Sequence, residues 1–227
     1  MKFETATNYD EFATAQKQVA KDLAESLKCY GSNYENVFEI GCGSGIFTRH
    51  LQNEFSCKNL TVNDLYMAKP MYELPHVIGD IQTSAIPGGL NLVASSSVLQ
   101  WIDALEDLFK RIHASLQAGG ILAVGLFTQG TLEELESYTH QGLVYRNKDQ
   151  LNEIATKYFS VKTIQESKVE VPFENIHDML NSLKQTGVNN LNGTFRLTKE
   201  TYRGLVNHFK GNVKLSYNYV VLVAQKR

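Results

Sequence analysis

The residues best placed to do chemistry cluster in Glu39-Ile40-Gly41-Cys42-Gly43-Ser44-Gly45. Three alternating glycines strip the side chains from a short loop and permit backbone dihedrals that other residues avoid, so a ligand can approach the main chain closely. A pyrophosphate fingerprint spaces its glycines G-x-G-x-x-G, whereas here the spacing is G-x-G-x-G. Glu39, two residues before the first glycine, adds a carboxylate that suits a bulky cationic ligand without phosphate. A tight strand-to-helix turn with no ligand is the plainer alternative. No other pattern competes: the six histidines are scattered with no H-E-x-x-H or similar pair, which predicts no metal site. The three cysteines, Cys29, Cys42 and Cys57, lack C-x-x-C spacing and read as reduced thiols of a cytoplasmic protein, with Cys42 a small residue tolerated inside the loop.

The elements that must position this loop follow from periodicity. Residues 8–29 carry Phe12, Ala15, Val19, Leu23 and Leu27 at helical spacing and predict one amphipathic helix. The stretch "NVFEIG" reads as a strand running into the glycine loop, and "IFTRHL" as the helix after it. Then "NLTVND", "HVIGD" and "LNLVASS" read as three further strands. A strong helix follows in "WIDALEDLFKRIHASLQAGG", with Asp103 and Glu106 as a capping pair and Gly119 and Gly120 as its stop. A fifth strand is "ILAVGLF". Strands alternating with helices at this spacing predict an α/β fold with a doubly wound, mostly parallel sheet, whose ligand lies beyond the carboxyl ends of the strands.

Beyond residue 130 the character changes. Helices are expected near 131–140 and 148–158, a strand over 161–171, a helix through Phe173, Ile176, Met179, Leu180 and Leu183, and another after Thr198. The terminal "VKLSYNYVVLVAQKR" reads as the last strand, antiparallel to the one at 161–171, which makes seven strands and leaves 172–212 as a helical insertion between the last two. The expected organisation is a single domain: an N-terminal cap helix over 1–30, a ligand-binding core over 35–130, and the insertion on the substrate side.

Composition bounds the function. With 227 residues, 43% hydrophobic and 20% charged, the chain is an ordinary globular one able to bury a large core. A formal net charge of −2 argues against general nucleic-acid binding. The polar start "MKFETATNYDEF" holds no apolar run for a signal peptide or a membrane span.

The motif Glu39-x-Gly41-Cys42-Gly43-x-Gly45 resembles the first motif of the class I S-adenosylmethionine-dependent methyltransferases, and the resemblance continues in order to about residue 127. It implies S-adenosylmethionine as cofactor. Asp64 in "VNDLY", with Leu65 beside it, matches the family carboxylate that accepts hydrogen bonds from the ribose hydroxyls, as two acceptor oxygens suit a vicinal diol. Asp80 and Ile81 in "GDIQ" match the pair beside adenine, and Ser95 and Ser96 would lie near the methyl group. A nicotinamide oxidoreductase is disfavoured by the glycine spacing. A cofactor-fold protein serving only as a scaffold is disfavoured by the acidic motifs.

Methyl transfer needs an aligned nucleophile, and an amine or phenol often needs a base as well. No base constellation surrounds the fourth strand, which favours an ionised carboxylate or a soft carbon. "SSSVLQWIDALEDLF", "LFTQGTLEELES", "YRNKDQL", "SLKQTGVNNLNG" and "LTKETYRGL" together resemble the malonyl-carrier-protein O-methyltransferases of biotin synthesis. That resemblance implies methylation of the free carboxylate of a malonyl thioester, on acyl carrier protein or coenzyme A; another small acid or a quinone-type carbon is the alternative acceptor. Arg146 matches a family arginine and is expected to clamp the carboxylate. Tyr9 matches an N-terminal family tyrosine, with Gln16 two turns on over the cofactor, and Gln100 and Trp101 are expected along the substrate pocket. An acidic carrier protein would meet Lys184, Lys199, Arg203, Lys210 and Lys214 in or near the insertion.

Overall fold

The computed structural model describes residues 9–187 and 196–227. Its elements, in chain order, are α1 (Tyr9–Phe12), α2 (Thr14–Lys28), β1 (Asn33–Ile40), α3 (Ile46–Glu54), β2 (Ser56–Asp64), β3 (His76–Ile78), β4 (Leu90–Ser96) and α4 (Leu105–Ser115). There follow β5 (Leu116–Phe127), α5 (Glu133–Thr139), α6 (Lys148–Tyr158), β6 (Phe159–Pro172), α7 (Ile176–Gln185), α8 (Lys199–Phe209) and β7 (Lys214–Lys226).

Seven strands form one sheet in the order β3-β2-β1-β4-β5-β7-β6. β1 to β5 pair in parallel, and β7 pairs antiparallel with both neighbours, so it alone runs against the rest. The chain moves outward from β1 through β2 to β3, then returns to lay β4 on the other side of β1. That reversal opens a crevice at the carboxyl ends of β1 and β4, the place where doubly wound sheets bind ligands.

Alternation in the strands builds a core on each face of the sheet. Val37, Leu92 and Ala123 pack under α2 and α3, where Val19, Leu23 and Leu27 are fully buried. Phe38, Val93 and Leu122 pack under α4 and α6 with Leu108, Phe109 and Leu151. A strand buried on both faces reads as a continuous apolar run, which is why "ILAVGLF" is legible as β5. Truncating a side chain such as Leu23 to alanine would cost about 2–5 kcal/mol.

Three local expectations are corrected. The first helix is not continuous: it breaks at Ala13 (φ −80°, ψ 43°) into the one-turn α1 and the longer α2. α4 begins at Leu105 with Ala104 before it and no side-chain cap, so Asp103 does not cap it. Glu106 instead accepts from Lys157 at 2.8 Å. Gly119 and Gly120 do not stop that helix, because β5 begins at once with Leu116. They lie in the bulge between the pairs Leu90–Leu116 and Leu92–Ile121, and Gly119 takes φ +76°. α7 and α8 stand between β6 and β7, capped by Asn175 and Thr198 side chains accepting from Asp178 and Thr201 amides. The second half of "SLKQTGVNNLNG", residues 188–193, lies outside the described residues.

Candidate active site

A cavity of about 1060 Å³ opens at the crevice, lined by the segments that follow β1, β2, β3 and β4 and closed by α1, Gln16, Tyr145 and Tyr217. It is built from two sets of residues.

The first set is the glycine loop and its acidic neighbours. At Gly41, φ is +73° and a Cβ would stand 2.3 Å from a Val98 methyl, so the loop passes beneath Val98 only as glycine. The Gly41 and Cys42 amides donate to the Asn63 carbonyl at 2.8 and 2.9 Å, and the Gly43 amide donates to Asp64 Oδ2 at 2.8 Å. A Cβ at Gly43 would meet nothing within 4 Å: the loop here faces open cavity. Gly45 does not line the cavity; at φ +87° it precedes α3.

Glu39 is 1% exposed, lines the cavity, and accepts a 2.7 Å hydrogen bond from Thr48 Oγ1. Burial pushes its carboxyl up to about 7, opposed by the Thr48 hydrogen bond and assisted by the nearby Asp64. A buried carboxyl held so close to neutrality is poised to ionise when a cation arrives. The Cys42 thiol is pushed up by burial and by Glu39 and Asp64, so it stays neutral and is no nucleophile.

Asp64, Leu65, Asp80, Ile81 and Ser96 line the cavity as the sequence places them, whereas Ser95 does not. Ser95 is wholly buried and its hydroxyl donates to the Ile40 carbonyl at 2.9 Å, locking β4 to β1. Ser97 takes the next place on the lining, in a left-handed conformation (φ 61°) with its amide on the Gly125 carbonyl at 2.7 Å. Strain of this kind, about 1–3 kcal/mol, gathers at ligand sites. Asn63, Gln82, Ser97 and Val98 are lining residues that the motifs missed. The β-strand register could have found Asn63, beside Asp64; Ser97 carries no sequence signal of its conformation.

The second set faces the opposite wall. Tyr9, Gln16, Gln100 and Trp101 all line the cavity, joined by Phe127, Thr131, Tyr145 and Tyr217. Gln100 Nε2 donates to the Ser97 carbonyl at 2.7 Å while its Oε1 is buried without a partner. α1 is tied over the glycine loop by Asp10, which accepts from Arg49 at 2.9 Å and from the Ser44 hydroxyl. Arg146 is placed otherwise than expected. It does not line the cavity, and its guanidinium donates to the carbonyls of Ile102 and Asp103 at 3.0 and 2.6 Å. With those donors committed to main chain, it fixes the backbone beside Trp101.

Among the described residues no His, Cys, Asp or Glu cluster could hold a metal ion, and no helix is long and apolar enough to cross a membrane.

Residues 7–181 match the model of a methyltransferase domain family. The chain is 30% identical to a malonyl-[acyl-carrier protein] O-methyltransferase of Chlorobium phaeovibrioides, over 97% of this chain and 92% of that one. It is also 30% identical to the protein of the same name from Bacteroides thetaiotaomicron, over 97% and 94%. Among solved structures, the YcgJ protein of Bacillus subtilis superposes with a TM-score of 0.66 at 10% identity, covering 91% of this chain and 98% of that one. The N-methyltransferase NodS of Bradyrhizobium japonicum, in complex with S-adenosylhomocysteine, superposes at 0.53 with 15% identity, covering 95% and 87%. A family match over residues 7–181 and 30% identity along nearly the whole of relatives that bear one name show that the chain belongs to the methyltransferase domain family, among the malonyl-[acyl-carrier protein] O-methyltransferases.

Proposed function

We propose that the protein is an S-adenosylmethionine-dependent O-methyltransferase that converts the free carboxylate of a malonyl thioester to its methyl ester, an early step of biotin synthesis. The observation that carries this reading is the cavity itself: one wall of backbone amides with the buried Glu39 and the more exposed Asp64 and Asp80, the other of aromatic and neutral polar groups beside Asp10 and Glu11 of α1, with no histidine among the described lining residues. The first wall fits the cofactor. Gly43 leaves open space, Glu39 is buried and close to neutral charge balance, and Asp64 keeps acceptor capacity beyond its bonds to the Gly43 and Leu65 amides. When bound, S-adenosylmethionine supplies a methyl carbon on a sulfonium, transferred to an oxygen nucleophile as the sulfur keeps the bonding pair and no proton moves.

The protein's own residues do the rest. Glu39 offers a negative charge to a cationic group, Asp64 accepts from a diol, and Ile81 offers an apolar face beside Asp80. α1, tied down through Asp10, Ser44 and Arg49, covers the loop and excludes water. A carboxylate acceptor is already ionised near neutral pH, so positioning is the whole of the task, and positioning can contribute about 7–11 kcal/mol.

The carrier protein rather than coenzyme A is the preferred acceptor. Thr186, directly after α7, lines the cavity, so the helices between β6 and β7 stand at its acceptor end. Lys184, Lys199, Arg203 and Lys210 are exposed there with no ion pair among the described residues, a surface suited to an acidic partner. Lys214 drops out of this group, since Glu170 holds it at 2.9 Å. Intact-mass spectrometry on malonyl carrier protein, malonyl coenzyme A and free malonate tests the reading. A gain of one methylene on the carrier-bound malonyl group is expected, fastest of the three. No methylene gain on any malonyl thioester, with S-adenosylhomocysteine still bound, would overturn the substrate and leave the fold and cofactor standing.

A further inference from the structure

We infer that the acceptor's carboxylate is gripped by uncharged phenols, with Tyr145 and Tyr217 completing a set begun by Tyr9, and that no fixed cation takes part. The inference rests on the malonyl reading and names the residues that recognise its charged end.

Three observations carry it. First, Lys69 is the sole Lys or Arg among the described lining residues; it is exposed and belongs to the segment after β2, on the cofactor side, while Arg146 faces main-chain carbonyls instead. Second, the neutral donors on the acceptor wall sort into committed and uncommitted ones. Thr131 Oγ1 donates to the Asn218 carbonyl and accepts from the Asn218 amide, and Thr186 Oγ1 donates to the Ser182 carbonyl. Tyr9, Tyr145 and Tyr217 line the cavity and their hydroxyls make no hydrogen bond among the described residues. Tyr217 is only 7% exposed, so its hydroxyl has little but the cavity to turn to. Third, the three line one cavity, and Tyr145 packs against the apolar cluster that holds Tyr217. The Tyr217 phenol is pushed up by burial first, then by Tyr145, Glu134 and Tyr9, in keeping with that placement.

The backbone is built to hold Tyr217 there. Glu134 accepts from the Ser216 amide and hydroxyl, the Leu132 amide donates to the Ser216 carbonyl at 2.7 Å, and the Thr128 amide donates to the Asn218 carbonyl at 2.8 Å. Both neighbours of Tyr217 are therefore pinned, and its ring rests on Phe127 with centroids 5.6 Å apart. Phenol donors suit a nucleophilic carboxylate: a bidentate guanidinium would form a strong, charge-assisted pair with both oxygens, whereas neutral hydrogen bonds orient the group and leave its charge in place. Buried hydroxyls built to meet an acceptor also discriminate strongly against analogues that lack it.

The test uses the full-length protein loaded with S-adenosylhomocysteine, and malonyl coenzyme A as the probe, with binding read by calorimetry beside turnover with S-adenosylmethionine. Tyr145→Phe and Tyr217→Phe keep the rings and remove only the hydroxyls. Each is expected to weaken probe binding and raise KM about tenfold, and the pair together about a hundredfold, with S-adenosylhomocysteine affinity unchanged. Acetyl coenzyme A, lacking the carboxylate, should bind wild type and variants alike. Unchanged probe affinity in the double variant overturns the inference, as does a parallel loss of cofactor affinity or no probe binding by the wild type. Probe binding without methylation sinks the malonyl esterification reading alone, because the phenol contribution is read from binding.

Discussion

The two walls of the cavity are made in different ways. The cofactor wall is local: each of its parts directly follows a parallel strand, and main-chain bonds such as Gly41 and Cys42 to Asn63 and Gly43 to Asp64 fix the parts to one another. The acceptor wall is assembled at a distance, from α1, α2, the turn at Trp101, the end of β5 and the segment after it, the segment before α6, the residue after α7 and the reversed strand β7. A binding site made of strand ends inherits its geometry from the sheet. A site made of side chains from many separate segments depends on how those segments are tied together, here by Asp10 to Arg49, Arg146 to Ile102 and Asp103, and Glu134 to Ser216.

The sharpest way to break this contrast is Gly41→Ala. A Cβ 2.3 Å from Val98 at φ +73° must displace either the loop or the start of the acceptor wall, and overpacking with left-handed strain should lower S-adenosylhomocysteine affinity about a hundredfold or more by calorimetry. Asp64→Ala comes next. It removes an acceptor and frees the Gly43 amide, and should weaken the same ligand about 10- to 100-fold while acceptor KM holds.

Glu39 gives a pH test of the cofactor wall. Its carboxyl is raised from 4.5 to about 7 in the folded ligand-free chain, so the folded state keeps a proton that the unfolded state has lost. The contribution to stability therefore declines as pH rises from 4.5 toward 7 and is level above it. A cationic ligand at Glu39 draws that proton off, so affinity should climb up to about tenfold per pH unit below 7 and flatten above. Calorimetry from pH 6 to 8 reads this, and Glu39→Gln should abolish the slope.

Smaller effects belong to the ties of the acceptor wall. Arg146→Ala removes two charge-assisted bonds and should cost about 1–3 kcal/mol of stability, seen as a melting temperature lower by several degrees, with cofactor affinity intact. Loss of cofactor affinity in that variant would mean the walls are coupled. Arg49→Ala breaks a largely exposed pair and should shift stability by less than about 1 kcal/mol, measured by denaturant titration.

This division also explains what the sequence made legible. Glu39, Gly41, Cys42, Gly43, Asp64, Asp80 and Ile81 announce themselves because their places depend on short segments at strand ends, and the apolar runs that define those strands are unmistakable. Ser95 and Ser96 show the limit: side chains alternate along a strand, so one faces the cavity and the other the Ile40 carbonyl, and a shift of one residue decides which. Asp103 and Gly119 misled for a similar reason, since a capping pattern and a glycine pair are blind to the turn and the bulge that tertiary pairing imposes. Tyr217 sits inside a strand read correctly, yet nothing in "LSYNYVV" tells its ring from that of Tyr219, whose hydroxyl bonds Asp22 instead. Arg146 drew attention as the natural partner of a carboxylate, and only its two carbonyl acceptors reveal its structural use.

The central claim is that one wall holds the cofactor and the other the malonyl carboxylate, with little exchange between them. Dissociation constants for S-adenosylhomocysteine and KM for malonyl carrier protein, measured side by side in Asp64→Ala and Tyr217→Phe, test it most directly. The account predicts that Asp64→Ala moves only the dissociation constant and Tyr217→Phe only KM; both quantities moving together in either variant would contradict it.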